Sequence, residues 1–355
     1  MNISDLDKNL VIPGLPDGAE YELHNICEPV FDIRGVMLTD GGIVRMPKEA
    51  AERVSVGVGT LYRHTAGGRI RFSTDSPYVI VVATCQRLGY MAHMTHVGSS
   101  GFDVYRDGVI FEGSLIAAWE PDADGYRYSA YRPLSGEGDI TVDMPLYNEL
   151  DTVYIGLARG SRLSPPTSGF AVEKPVVYYG SSVTQGGCAS RPGTSYQGFL
   201  SRELNIDYIN LGFSGNAKGE REMAEYIATL DMSAFVFDYD YNAPSAAELE
   251  RTHGPFFNVI RAARPDLPII MMSRPVHNVK KGDARVAVIL NTYNTARACG
   301  DKNVYFVSSD ELTRLSGSEG TVDQVHPTDL GFMSMAKAVE PILRIALGLT
   351  EEKNG

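Results

Sequence analysis

From Lys174-Pro175 onward the chain repeats one pattern: a short, nearly unbroken apolar run, a turn, and a longer stretch with apolar residues at helical spacing. Nearly continuous apolar runs of this length predict strands buried on both faces, at 176–179, 208–211, 234–237, 269–272 and 304–307. Between them Met223, Ile227 and Leu230 recur at helical spacing, as do Leu249, Phe256 and Ile260, and Val286, Leu290 and Tyr293. The last helix is the clearest, with Phe332, Ala336, Val339, Leu343 and Ala346 on one stripe and Thr328 or Asp329 as its N-cap. Strands alternating with helices predict five βα units, hence a three-layer α/β/α domain around a five-stranded parallel sheet.

The first half has a different rhythm. Asp40-Gly41-Gly42, Ala66-Gly67-Gly68 and Asp107-Gly108 mark turns between runs rich in Val, Ile, Tyr and Phe, and Arg106-Asp107-Gly108 reads as the turn of a hairpin. Long amphipathic stretches are missing here, so helices are not expected, and the pattern predicts a jelly-roll-like β-sandwich. The stretch 161–175, with Pro165-Pro166-Thr167-Ser168-Gly169, reads as a linker, dividing the chain into 1–165 and 166–355; its 355 residues are ample for two cores. The β-domain is read first as a structural wall beside the crevice, and second as a carbohydrate-binding module with Trp119, Tyr126 or Tyr128 exposed to stack on sugar rings. His93, His96 and the 98–101 loop are within reach of the crevice, although plain surface or core histidines are the safer expectation.

Composition narrows the partners. A net charge of −12 disfavours nucleic acid and anionic membranes, and no transmembrane run, leader or anchor is visible. Cys27, Cys85, Cys188 and Cys299 are widely spaced, without a disulfide framework or zinc pattern, so a reducing cytoplasm is the expected compartment.

In a parallel α/β sheet the loops at the carboxyl ends of the strands converge on the ligand crevice. Ser182 follows the first strand, 212–216 the second, Asn242 the third, Arg274 the fourth, and Asp323 with His326 the fifth. A serine needs a neutral imidazole to take its proton and a carboxylate to fix the imidazole tautomer, roles open to His326 and Asp323. The backbone N–H groups of Ser182 and Gly215 and the Asn242 amide are placed to receive the developing oxyanion. Singly, each has a plainer reading: a capping serine, a turn asparagine before Ala243-Pro244, a loop carboxylate, a packed histidine. Their convergence on one edge favours the chemistry. Gly180 to Gly187 lacks the spacing of a dinucleotide or phosphate loop, and no further ligand pattern accompanies Asp323 and His326, so no cofactor and no metal is expected. Arg191 and Arg274 are candidate substrate contacts, with structural ion pairing the commoner fate, and Cys188 reads as a small buried thiol.

Gly180-Ser181-Ser182, Asn210-Leu211-Gly212-Phe213-Ser214-Gly215, Asn242 and Asp323-Gln324-Val325-His326 resemble, in order, the four signature blocks of the SGNH (GDSL-type) hydrolase superfamily. The resemblance implies Ser182 as nucleophile, Gly215 and Asn242 as oxyanion-hole partners, and His326 as base oriented by Asp323. Gly-Ser-Ser replaces the usual Gly-Asp-Ser, and Asp240-Tyr241-Asn242-Ala243 replaces a Gly-x-Asn-Asp block, without removing a group the mechanism needs. The stretch 186–193 further resembles a subgroup with an N-terminal β-domain. The expected function is a serine esterase removing a short acyl group through an acyl-Ser182 intermediate; acetyl from a carbohydrate is implied by the resemblance alone. Acyl transfer through the same intermediate and non-catalytic carbohydrate binding on a hydrolase scaffold are the alternatives; acyl length, alcohol partner and oligomeric state are left open.

Overall fold

The computed structural model describes residues 6–7 and 14–349. The five apolar runs form the strands Val176–Gly180, Tyr208–Gly212, Ala234–Asp238, Ile269–Met272 and Val304–Val307. All pair in parallel, in the order second, first, third, fourth, fifth. The first strand thus lies between the second and third, where chain progression reverses direction and loops open a crevice at the carboxyl ends.

Alternate residues of each strand feed two different cores, because successive side chains leave opposite faces of a sheet. Val177, Tyr179, Phe235, Phe237, Ile269 and Met271 pack against Met223, Ile227, Leu249, Phe256 and Ile260. Val176, Tyr178, Val236, Ile270 and Met272 pack on the other side against Leu200, Phe332, Met335, Val339 and Leu343. Arg221–Thr229, Ala246–Ala263 and Ala284–Ala298 therefore cover one face, and Tyr196–Leu204 and Asp329–Leu347 the other. Thr328 caps the last helix, accepting from Gly331 N–H. Two helices depart from the hydrophobic pattern. Ala284–Ala298 buries Ile289, Thr292 and Ala296 while Val286, Leu290 and Tyr293 are only partly buried, so its inward side is partly polar, with a hydrogen bond of 2.9 Å between Thr292 Oγ1 and buried His253 Nδ1. Tyr196–Leu204 is masked in the sequence by Gln197, Gly198 and Ser201, all buried.

The N-terminal half is built on two antiparallel sheets. One runs Tyr21–Asn25, Thr152–Ala158, Tyr78–Cys85, Gly125–Pro133 and Glu120–Asp122; the other runs Leu163–Ser164, Arg69–Thr74, Gly138–Asp143, Phe102–Arg106 and Ile110–Leu115. Phe72, Val79, Val81, Phe102, Val104, Ile140, Val142, Val153 and Ile155 meet in one core. Asp107 and Gly108 both take positive φ, 51° and 74°, as a tight Asp-Gly hairpin turn demands.

Contrary to the pattern-based expectation, this half contains helices: Lys48–Val54, Val58–Leu61 and His96–Ser100. They are too short to show amphipathic periodicity. Ala50, Ala51, Val54, Val58 and Tyr62 join the core containing Val177, Tyr179, Leu211, Phe213 and Met223, so the first half of the chain supplies part of the cover of the parallel sheet. The 161–175 stretch is pinned: the Asp139 carboxylate accepts from the backbone N–H groups of Thr167 and Ser168, and the Phe170 ring lies 4.2 Å from the Arg71 guanidinium carbon. The expected exposure of Trp119 and Tyr128 is overturned, since they are only 7% and 1% exposed; the indole N–H donates to Ser100 O and the phenol to Leu115 O.

Candidate active site

Gly180 ends the first strand and Ser182 begins a one-turn helix, Ser182–Gln185, capped by the Ser181 hydroxyl and closed by Gly186 at φ 102°. A side chain at Gly180 would place its Cβ 1.8 Å from Asp238 Oδ1 and 2.2 Å from Thr184 Oγ1, so the turn requires glycine there. As first residue of a helix, Ser182 has a backbone N–H without an intrahelical acceptor.

The Ser182 hydroxyl lies 2.9 Å from His326 Nε2, and His326 Nδ1 lies 2.7 Å from Asp323 Oδ2. The second pair forms within one tight loop, closed by a bridge between Thr321 and Pro327 and by Gln324 at φ 70°. Asp323 Oδ1 also accepts from the N–H groups of Val325 and His326, at 3.0 and 2.8 Å. Partial burial pushes the Asp323 carboxyl up, but these three hydrogen bonds and the neighbouring imidazole outweigh it and hold the group at about 2. An ionised carboxylate fixes the imidazole with its proton on Nδ1 and leaves Nε2 free to accept from Ser182.

Gly215 stands at φ 70° with open space where a Cβ would be, in the loop after the second strand. Asn242 donates one amide hydrogen to Phe213 O at 3.1 Å, which ties the third-strand loop to the second and leaves its other amide hydrogen for a ligand. Gln185 locks the same neighbourhood: its Oε1 accepts from Ser214 N–H at 3.0 Å, while its amide donates to Leu146 O at 3.1 Å and lies 3.0 Å from His64 Nδ1. Burial and then the nearby Arg45 charge pull His64 down to about 4, so its neutral ring serves as acceptor. Asn210 donates to Thr184 O at 2.8 Å, and buried Arg45 reaches the carbonyls of Asn210 and Gly212 at 3.1 and 2.6 Å. Beneath the Ser182 turn Asp238 accepts from the Thr184 hydroxyl. Burial, with the Asp240 charge adding to it, raises Asp238 to about 8 against the hydrogen bonds from Thr184 and Ser181.

The structure brings Ser182, His326 and Asp323 into one hydrogen-bonded series and sets Asn242 beside the loop that carries Gly215. Both arginines are engaged internally. Arg191 pairs with fully buried Asp103 at 2.8 Å and meets the Tyr105 hydroxyl. Arg274 pairs with Asp240 at 3.1 Å and Asp283 at 2.7 Å, bracing the loop that leads to Asn242. Cys188 is buried, and that burial, with the Asp323 charge adding to it, pushes the thiol up to about 11. His93 lies beside His326, the two ring centroids 5.6 Å apart and the ring planes tilted at 60°. With Cys188 these two histidines form a cluster whose ligating atoms lie within 4.8 Å of one another. Sequence spacing hides this set, because its members lie far apart along the chain. It hides Gln185, His64, Asn210 and Asp238 equally, since each acts by reaching a backbone or side-chain group on another segment of the chain.

A parallel α/β sheet presenting a serine, a histidine and an aspartate in series at its carboxyl edge is the framework of a carboxylic ester hydrolase. The chain belongs to the SGNH (GDSL-type) hydrolase superfamily: residues 173–344 match the GDSL-like lipase/acylhydrolase family, and residues 22–163 match the N-terminus of SGNH-hydrolase-type esterases, labelled GxDLY. Gly101-Phe102-Asp103-Val104-Tyr105 follows that label except for Val104 at the leucine position, and its Asp103 receives Arg191 and the Gly193 N–H. Among solved structures, a protein from Bacteroides ovatus ATCC 8483 described as a GDSL-like lipase is similar at 29% identity and TM-score 0.80, covering 93% of this chain and 99% of its own. The salicylyl-acyltransferase SsfX3 of a tetracycline biosynthetic pathway shares the fold at 20% identity and TM-score 0.72, over 93% and 98% of the two chains. An acetyl xylan esterase, Est2A, from the rumen bacterium Butyrivibrio proteoclasticus shares it at 14% identity and TM-score 0.60, over 93% and 100%. No curated protein sequence matches the chain. Among the described residues no helix is long and apolar enough to cross a membrane.

Proposed function

We propose that the protein is a serine esterase that removes a short acyl group, acetyl on a carbohydrate or related small alcohol being the substrate class, through an acyl-Ser182 intermediate. The observation that carries this reading is the unbroken series from the Ser182 hydroxyl to His326 Nε2 at 2.9 Å and from His326 Nδ1 to Asp323 at 2.7 Å. His326 takes the serine proton as Oγ attacks the ester carbonyl, and Asp323 steadies the imidazolium that forms. The oxyanion is received by the N–H groups of Ser182 and Gly215 and by the Asn242 amide. His326 then returns its proton to the departing alcohol, and water, activated in the same way, releases the acid. The carbohydrate part leans on the shared fold with Est2A. The shared fold with SsfX3 keeps a second reading in view, in which an alcohol or amine replaces water as acceptor.

The test is hydrolysis of aryl acetate and longer aryl esters by wild type and Ser182→Ala. Turnover is expected to fall by about 10⁴-fold or more in the variant, and to be fastest with the shortest acyl group. Equal turnover by both proteins would overturn the serine mechanism, and acyl transfer outrunning hydrolysis when alcohols are added would favour the second reading.

A further inference from the structure

Three side chains from distant parts of the chain, His93, Cys188 and His326, converge beside Ser182. His93 is exposed; Cys188 is buried, with its backbone at φ 72°; His326 is partly buried; and one ligating atom of each lies within 4.8 Å of the others. The approach of the His93 segment is built in. Met94 is buried against the second core, the Thr95 hydroxyl donates to Ser190 O, and a Cβ on Gly98 would stand 2.1 Å from Ala189 O. A tetrahedral zinc ion, with Zn–S near ~2.3 Å and Zn–N near ~2.0–2.1 Å, holds its donors about 3.3–3.7 Å apart. The three donors are therefore roughly an ångström from closing on such an ion, a movement within reach of an exposed imidazole.

We propose that His93, Cys188 and His326 form a site for a thiophilic divalent cation of the zinc type, and that its occupation switches the esterase off. His326 offers Nε2, because Nδ1 is engaged by Asp323 at 2.7 Å. The aspartate that orients the imidazole towards the serine then orients it equally towards a metal, the carboxylate–histidine–metal arrangement of many zinc sites. Cys188 binds as thiolate and gives its proton to solvent; water completes the fourth position. The ion takes the single Nε2 lone pair on which the Ser182 hydroxyl rests at 2.9 Å, so that hydroxyl swings aside and loses its acceptor. One thiol and two imidazoles select against magnesium and calcium, which prefer oxygen donors.

The metal-binding half of this proposal stands independently of the esterase reading; the inhibition rests on it. The test titrates full-length, chelator-treated protein with Co²⁺, following the cobalt–thiolate charge-transfer band, and assays aryl acetate hydrolysis with added Zn²⁺ or Mg²⁺. One saturating equivalent of Co²⁺ is expected with a thiolate band that Cys188→Ser abolishes and the same change at exposed Cys27 or Cys299 does not. Zn²⁺ should inhibit reversibly on chelation, Mg²⁺ should not, and His93→Ala should raise the inhibitory Zn²⁺ concentration by about tenfold or more. Absence of a Cys188-dependent band, or equal zinc inhibition of wild type and both variants, overturns the site. A Cys188-dependent band in a protein without Ser182-dependent turnover would leave the site standing and remove the esterase reading instead.

Discussion

Burial beneath the Ser182 turn pushes the Asp238 carboxyl up to about 8, far above the usual carboxylate range. An unfolded aspartate loses its proton near ~3.9. Between these values the folded chain binds one proton more than the unfolded chain, so this residue's contribution to stability is fully present at low pH and is lost as pH rises from about 4 towards about 8. Asp238→Asn keeps an acceptor for Thr184 and Ser181 and removes the titration. Thermal unfolding followed across that range is expected to show a gap between variant and wild type that moves in favour of the variant as pH rises; a constant gap would mean that Asp238 is ionised in the folded protein. Nothing in the sequence marks this aspartate off from Asp240 two positions on, because the difference between them is an arginine: Arg274 bonds to Asp240, not to Asp238. The Ser182, Asn242, Asp323 and His326 positions, by contrast, could be read in the sequence because each follows a strand whose apolar run is unmistakable.

At the scale of elements the parallel strands were the most legible part, since burial on both faces leaves continuous apolar runs that few other structures require. The short helices Lys48–Val54 and His96–Ser100 escaped, because one or two turns are too few for a period of 3.6 to declare itself. The loop between the helix Ser182–Gln185 and Tyr196–Leu204 is tied to the strand Phe102–Arg106 through Arg191, whose partner Asp103 is wholly buried. Arg191→Met leaves that carboxylate without its counter-ion and is expected to cost about 3 kcal/mol of stability, read as a lowered Tm, with KM for a small aryl ester unchanged. A raised KM at undiminished Tm would instead make Arg191 a substrate contact, the less common of the two roles the sequence left open for it.

For the whole molecule the relevant fact is that the cover of the parallel sheet is drawn from both halves of the chain. Ala50, Ala51, Val54 and Val58 lie in the same core as Tyr179, Phe213 and Met223. Residues 166–355 expressed alone would expose that apolar surface, and they are expected to aggregate or to bind a hydrophobic dye, whereas the full chain is expected to do neither. A soluble, cooperatively unfolding fragment would show that the N-terminal helices are dispensable. The linkage was not legible because hydrophobic patterning records that a residue is buried but not which core it enters. The two contacts of the proposed triad differ in kind as well. Asp323 and His326 are three residues apart, while Ser182 and His326 are separated by 144. The first can form as soon as its loop closes; the second exists only after the last strand and helix have docked. Recovery of turnover during refolding would accordingly report the final joining of the chain, later than any signal from helices or strands.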